Sequence, residues 1–155
     1  MGIDFKSIKN NLNKNKYKLI GYGSGRHVFD LDNGYVVKVA RNKRGLVQNK
    51  AEYQIASSNH SPVFAKIVAV SDDFECLIME KAEKIKSFSF IFQYYHVRNY
   101  RELFRLEDFR DFTKKYNLLF GDLRRVSSWG MVKGKPVIID FGFTREVSRY
   151  YTLFR

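Results

Sequence analysis

Residues 121–142, GDLRRVSSWGMVKGKPVIIDFG, decide how the rest of the chain is read. They hold two aspartates, Asp122 and Asp140, each at the edge of an apolar segment and eighteen residues apart. Between them Lys133-Gly134-Lys135-Pro136 has the composition of a turn, and residues 129–132 and 137–139 that of the two strands it joins. A hairpin brings its ends together, so the pattern predicts that Asp122 and Asp140 approach each other across a cleft. Two carboxylates converging there can divide the work of a general base and a metal ligand. The same residues also fit a surface hairpin flanked by solvated aspartates, and the choice depends on what precedes them.

Upstream of the hairpin the chain becomes helical. Asn99 has a capping side chain with Glu102 three residues on, and Leu103, Leu106, Phe109, Phe112 and Tyr116 keep one helical stripe. Residues 88–97 are dense in aromatics and fit either period: Phe88, Phe90 and Phe92 alternate, whereas Phe88, Ile91 and Tyr95 suit a helix. Interleaved aromatic and basic residues also suit the stacking of single-stranded bases, an alternative to core packing. Residues 80–86 are short and charged, a connector.

The first eighty residues have a different character. Residues 3–12 place Ile3, Phe5, Ile8 and Leu12 on a short amphipathic helix that ends in the polar run Asn13-Lys14-Asn15-Lys16. Residues 17–20 read as a strand, residues 21–29 (GYGSGRHVF) as a glycine-rich turn running into the next, Asp32-Asn33-Gly34 as a hairpin turn and residues 35–40 (YVVKVA) as a β-branched strand. Glycines in such a turn let the backbone approach a phosphate and leave N–H groups to bond its oxygens, although a hairpin needing positive φ has the same composition. Lys38 points away from Val37 and Val39, which on alternation alone puts it on the wet face of the sheet. Residues 46–58 carry Val47, Ala51 and Ile55 on one helical stripe with Glu52 just beyond its edge, an exposed position by pattern, yet within reach of a neighbouring strand and of Lys38. Residues 64–70 and 75–80, joined by Ser71-Asp72-Asp73, complete an antiparallel sheet of about five strands with one inserted helix.

Composition bounds the rest. The chain has 155 residues, 45% of them hydrophobic and 16% aromatic, which excludes a disordered chain and suits one domain, or two small lobes sharing a core. Its 28 Lys and Arg against 16 Asp and Glu give a net charge of +12, a charge that attracts nucleotides, nucleic acid or an acidic protein surface. His27, His60, His96 and the single Cys76 show no metal-ligand spacing, and one cysteine forms no internal disulfide, which suits a reducing, cytoplasmic setting. No apolar run is long enough to span a bilayer, and residues 1–11 lack a signal-peptide core.

Taken in order, the residues are Gly21-x-Gly23 with Val28, Lys38 in VVKVA, Glu52 on a helix, the strand and connector LIMEKAE, Asp122 in GDL, and Asp140-Phe141-Gly142. This set resembles the protein kinase family, most nearly its compact, atypical members in bacteria and their phages, and spans residues 17–142. The resemblance implies an α+β, two-lobed, protein kinase-like fold in one domain over 1–155: an antiparallel N-lobe sheet with one helix (about 1–80), a hinge (81–86) and a strongly shortened helical C-lobe (87–155). It implies ATP and Mg²⁺ as cofactors. The turn of Gly21, Gly23, Ser24 and Gly25, with Val28, would cover the ATP phosphates, and Lys38, paired with Glu52, would bond the α and β phosphates. Met79 would line the back of the adenine pocket, and the backbone from Glu80 to Ala82 would bond the adenine edge. Asp140 would hold Mg²⁺, and Asp122 would orient the acceptor hydroxyl and take its proton.

Several positions depart from the family's pattern. The Asn that binds a second metal five residues after the catalytic aspartate is replaced by Ser127, or by Ser128 if Trp129-Gly130 is aligned with an insertion; either serine is a poorer ligand, so the metal would lean on Asp140. Gly121 stands in place of the usual His, and Arg26 where a third glycine is expected. Thirteen residues follow Gly142, which leaves no room for an activation segment or a peptide-docking platform. Two functions fit: phosphoryl transfer from Mg-ATP to protein Ser or Thr, possible autophosphorylation included, or a pseudokinase-type module that grips an acidic protein or nucleic acid without catalysis. A small-molecule kinase of the aminoglycoside type ranks third, because such enzymes build their acceptor pocket in a large helical lobe. The aromatics of residues 150–154 suit a homodimer.

Overall fold

The structure is a computed structural model that describes residues 2–59 and 61–142 together with Thr144 and Val147. The proposed dimer-forming aromatics at 150–154 lie outside these residues. The chain divides into two compact units, residues 1–57 with 66–81 and residues 58–65 with 82–155.

The first unit is an antiparallel sheet with a helix on each face. Its strands are β1 (Lys18–Tyr22), β2 (Arg26–Asp30), β3 (Tyr35–Ala40), β4 (Ile67–Val70) and β5 (Cys76–Glu80), in the order β1-β2-β3-β5-β4. Helix α1 (Phe5–Asn13) is capped by Asp4, whose side chain accepts the Ser7 N–H. It lays Phe5, Ile8 and Leu12, with Ile3, over the cluster of Val37, Cys76 and Ile78. Burial pushes the Cys76 thiol up to about 11, so it behaves as a small core side chain. Helix α2 (Lys43–Ser58), inserted between β3 and β4, supplies the other cover. β1 reaches Tyr22, two residues further than the sequence suggests, with an irregularity between Leu19 and Gly21; the turn proper is therefore Gly23-Ser24-Gly25.

The second unit is mainly helical, with one small sheet. α3 (Ser89–Tyr95) resolves the ambiguous aromatic stretch as helix and ends at His96 with positive φ. The helix expected as one piece from Asn99 is two: α4 (Tyr100–Leu103), capped by Asn99 at 2.9 Å from the Glu102 N–H, and α5 (Glu107–Tyr116). Leu106 has extended backbone between them, and Glu107 and Asp108 open the new helix at its positive end. A short α6 (Phe120–Leu123) and one 3-10 turn at 126–128 lead into β7 (Trp129–Val132) and β8 (Lys135–Ile138). The turn is only Lys133-Gly134, both with positive φ, as a two-residue hairpin requires. The charged connector also contributes structure: β6 (Glu83–Lys84) pairs with β7.

Residues 64–70 do not form the continuous strand expected. Phe64 leaves β4 to bridge Ile138, and the Ala65 N–H bonds the Ile138 carbonyl at 2.9 Å, because the Phe64 ring packs against Phe112 and Phe141 with centroids 4.9 and 4.8 Å away. Trp129, Phe109, Ile91, Leu103 and Ile138 fill the core of this unit.

Candidate active site

In the first unit the site is built on a buried carboxylate. Glu52 is wholly buried, and Lys38 Nζ lies 2.9 Å from its Oε1 with only 5% of the lysine exposed. This corrects both pattern-based positions: Lys38 is not on a wet face and Glu52 is not at a surface. α2 turns Gly45, Gln48, Asn49, Glu52 and Ile55 inward, a mostly polar face, while Val47 and Ala51 are only half-buried.

Two further side chains, not foreseen as site residues, complete the cluster. The Arg26 guanidinium forks onto Glu52, Nη1 to Oε1 at 2.7 Å and Nη2 to Oε2 at 3.0 Å. Asn49 accepts from Arg26 Nη1 at 3.1 Å and donates to the Phe74 carbonyl at 2.8 Å and to those of Lys38 and Glu75 at 3.3 Å. Burial by itself would raise the Glu52 carboxyl, but Arg26 and then Lys38 outweigh it and hold the group at about 2. The signal that could have revealed this face was the polar spacing 45, 48/49, 52 rather than any apolar stripe.

The glycine turn is tied to the start of α2. The carbonyls of Gly23, Ser24 and Gly25 accept from Arg41 Nη1 (3.0 Å), Asn42 Nδ2 (3.0 Å) and the Arg41 N–H (2.7 Å), while Asn42 Oδ1 also caps α2 by accepting the Gly45 N–H at 3.1 Å. A side chain at Gly45 would overlap the Gly25 carbonyl, so the backbones touch only because both residues are glycine. The Gly23 N–H closes the turn onto the Arg26 carbonyl at 2.8 Å rather than pointing outward as the sequence suggests. Gly21 pairs with Val28 inside the sheet. Met79 is buried on β5, and the N–H groups of Glu80 and Lys81 donate to the carbonyls of Lys66 and Gly34, both at 2.9 Å. Of the stretch expected at an adenine edge, the Glu80 and Lys81 donors are therefore engaged within the sheet. Ala82 belongs to the second unit, where it packs where a side chain at Gly130 would stand.

In the second unit the hairpin does bring the aspartates together. The Ser128 carbonyl accepts the N–H of Ile139 at 2.8 Å and of Asp140 at 3.3 Å, closing the base of the hairpin. Trp129 Nε1 donates to the Leu123 carbonyl at 2.8 Å and fixes the helix that carries Asp122; Phe141, buried directly after Asp140, anchors the backbone there. Both aspartates are half-buried. Burial, and after it the Asp140 charge, raises the Asp122 carboxyl, partly opposed by Arg125. Ser128 is buried beside the Asp140 backbone, whereas Ser127 is exposed.

No cluster of three His, Cys, Asp or Glu occurs among the described residues. A half-buried carboxylate such as that of Asp140 is of the hard oxygen type that Mg²⁺ takes alongside waters and substrate phosphates. No helix among the described residues is long and apolar enough to cross a membrane.

Strand order, the inserted helix and the Lys38–Glu52 pair give the first unit the architecture of a protein kinase-like N-terminal sheet, and the fold is α+β. No family model matches the sequence, and no curated protein does. Among solved structures the chain is similar to the ternary complex of streptomycin and ATP with the aminoglycoside phosphotransferase APH(2")-IIa, at 21% identity and a TM-score of 0.41 over 64% of this chain and 34% of that one. It is similar also to the gentamicin complex of APH(2")-IIa, at 24% identity and a TM-score of 0.40 over the same shares. The chain spans about a third of the length of these structures.

Proposed function

We propose that the protein transfers the γ-phosphoryl group of ATP to a hydroxyl on an acidic acceptor, a protein Ser or Thr side chain, with Mg²⁺ as the metal. The observation that carries this reading is the buried ion pair of Lys38 on β3 with Glu52 on α2, in a sheet of kinase-like order. Holding an ammonium rigidly inside a fold is costly, and a polyphosphate is a ligand for which a fixed cation is useful. Asp140 would hold Mg²⁺, which supplies charge neutralisation on the phosphates. Lys38 would bond the α and β phosphates, beneath the turn of residues 21–25. The acceptor oxygen forms its bond to the γ-phosphorus as the bond to the β–γ bridging oxygen breaks; ADP leaves with that electron pair, and the acceptor's proton passes to Asp122. A raised Asp122 carboxyl favours it as a proton acceptor near neutral pH.

Exposed Arg124 and Arg125 flank Asp122, which favours an anionic acceptor over a polycationic aminoglycoside. The same arginines favour the second reading, a module that grips an acidic protein or nucleic acid without catalysis. Calorimetric titration with ATP, with and without Mg²⁺, separates the two. Micromolar-range binding that needs Mg²⁺ and disappears in Asp140→Ala is expected; no binding under any condition would leave only the module.

A further inference from the structure

Within the second unit, α4 and α6 each present two side chains one helical turn apart, and the two pairs lie against each other. At α4 the pair is Tyr100 and Phe104, whose rings stack at 13° with centroids 6.4 Å apart. At α6 it is Phe120 and Arg124. A backbone bond closes each turn, from the Phe104 N–H to the Tyr100 carbonyl at 2.9 Å and from the Arg124 N–H to the Phe120 carbonyl at 3.0 Å. Phe120 rests on Phe104 with centroids 4.9 Å apart, and the Arg124 guanidinium lies 4.9 Å from the centre of the Tyr100 ring. Phe88 and Phe92 brace Tyr100 in turn, at 4.8 and 5.3 Å.

The α6 pair forms the open side of this ledge. Phe120 is 45% exposed and Arg124 is exposed, whereas Tyr100 and Phe104 are half-buried. The Arg124 side chain has no carboxylate or hydrogen-bond partner among the described residues. A guanidinium laid on an aromatic face is oriented before a ligand arrives, so its N–H edge binds a carboxylate at a lower ordering cost than a freely moving side chain. The one carboxylate of α4, Glu102, is taken by Arg98 Nε at 3.1 Å, while Arg101 and Arg105, next in sequence to the two rings, are exposed cations.

We infer that Phe120 and Arg124 dock an acidic protein segment, with Arg124 binding a carboxylate and Phe120 an apolar side chain beside it. That the segment carries the acceptor hydroxyl rests on the phosphotransfer reading; the ledge itself rests on the second unit alone. Asp122 is two positions on from Phe120, about 200° round the helix, so the ledge holds its ligand away from the reacting group. Arg125 has a different task, since its charge acts on Asp122 itself. Stacking of single-stranded nucleic acid calls for successive open rings, and in the ledge only Phe120 is open, which favours a protein.

The test is fluorescence anisotropy of the whole protein, without nucleotide, against a labelled random copolymer of Glu and Tyr. Arg124→Gln is expected to weaken binding about tenfold, the loss of a charge-assisted contact, and Phe120→Ala about fivefold. Lys135→Gln removes the same charge from the exposed start of β8 and should leave binding unchanged. Equal losses in Arg124→Gln and Lys135→Gln would mean diffuse attraction by net charge and overturn the inference. So would a labelled oligothymidylate that binds more tightly than the copolymer and depends on Arg124, which would make the occupant a nucleic acid. Urea unfolding of the same variants checks for a merely structural role: a loss of copolymer binding matched by a lowered midpoint, and restored in Arg124→Lys, which keeps the cation on the ring but not the fork, also overturns it. Titration with Mg-ATP separates the ledge from the reaction. Copolymer binding that depends on Phe120 and Arg124 in a protein that binds no Mg-ATP removes the phosphotransfer reading and leaves the ledge standing. Mg-ATP binding with copolymer binding unmoved by either variant does the reverse.

Discussion

Replacing Glu52 by Gln keeps the shape of the side chain and removes one charge from the centre of the first unit. Its effect can be worked from the carboxyl itself. Folding takes Glu52 from its ordinary value of 4.5 to about 2, which corresponds to about 3 kcal/mol of stability at neutral pH. An independent route gives a similar figure, since removing one partner of a buried ion pair costs about 3–5 kcal/mol. Because the group is wholly buried, solvent screening does not reduce this value. The sign follows from the direction of the shift: a depressed acid contributes its full stability above its unfolded value of 4.5 and loses it as pH falls toward about 2.

Urea unfolding of wild type and Glu52→Gln at neutral pH is therefore expected to differ by about 3 kcal/mol, a fall of about 1 M or more in midpoint. The gap should narrow on acidification, by about 1 kcal/mol at about pH 3.5, where the unfolded carboxyl is mostly protonated. A gap below about 1 kcal/mol at neutral pH would refute the buried cluster, because surface ion pairs have that value. A full-sized gap that ignores pH would mean that Gln fails for packing reasons and that the charge is incidental.

The remaining predictions concern the parts that surround this carboxylate and the aspartate pair. Gly45→Ala is expected to cost about 1–3 kcal/mol in the same unfolding assay, because its Cβ would overlap the Gly25 carbonyl and lie 2.8 Å from the Ala40 Cα, and backbone atoms do not move aside. Asn49→Ala strips a donor and an acceptor from a wholly buried network and should cost about 1–3 kcal/mol; a loss under about 0.5 kcal/mol would place Asn49 outside it. In carbon-13 spectra the Asp122 carboxyl should titrate above an ordinary aspartate, move higher in Arg125→Gln and lower in Asp140→Asn; the opposite order would refute the proximity of the three charges. Since a raised acid loses its stabilising contribution as pH rises through its folded value, Asp122→Asn should be more stable than wild type at neutral pH while losing phosphotransfer.

How much of this was legible depended on whether apolar side chains marked the buried surfaces. β3 was readable because β-branched residues follow Asp32-Asn33-Gly34, and the 129–138 hairpin because Lys133-Gly134 supplies two positive φ angles. Alternation correctly set Lys38 opposite Val37. It failed at the next step, because it assumes one wet face, and here α1 covers the Val37 side while α2 packs its polar face over the other. The stripe from Leu103 to Tyr116 was equally real, since Leu103, Phe109 and Phe112 are buried, but a stripe shared by two helices in line looks like one helix. Only Glu107-Asp108, acids suited to a first turn, marked the break.

Arg26 and Asn49 were missed for a deeper reason. A buried apolar residue announces itself by its own chemistry, whereas a buried polar residue is stable only by virtue of partners that are distant in sequence. Arg26 meets Glu52 across twenty-six residues and Asn49 meets the Phe74 carbonyl across twenty-five. The four side chains share partners: Arg26 bonds both Glu52 and Asn49, and Glu52 bonds both Arg26 and Lys38. Their effects should therefore be strongly non-additive, and a double variant Arg26→Leu with Glu52→Leu should be less damaging than the sum of the two single changes. If the losses simply add, the four residues are independent packing elements and the site has no common frame.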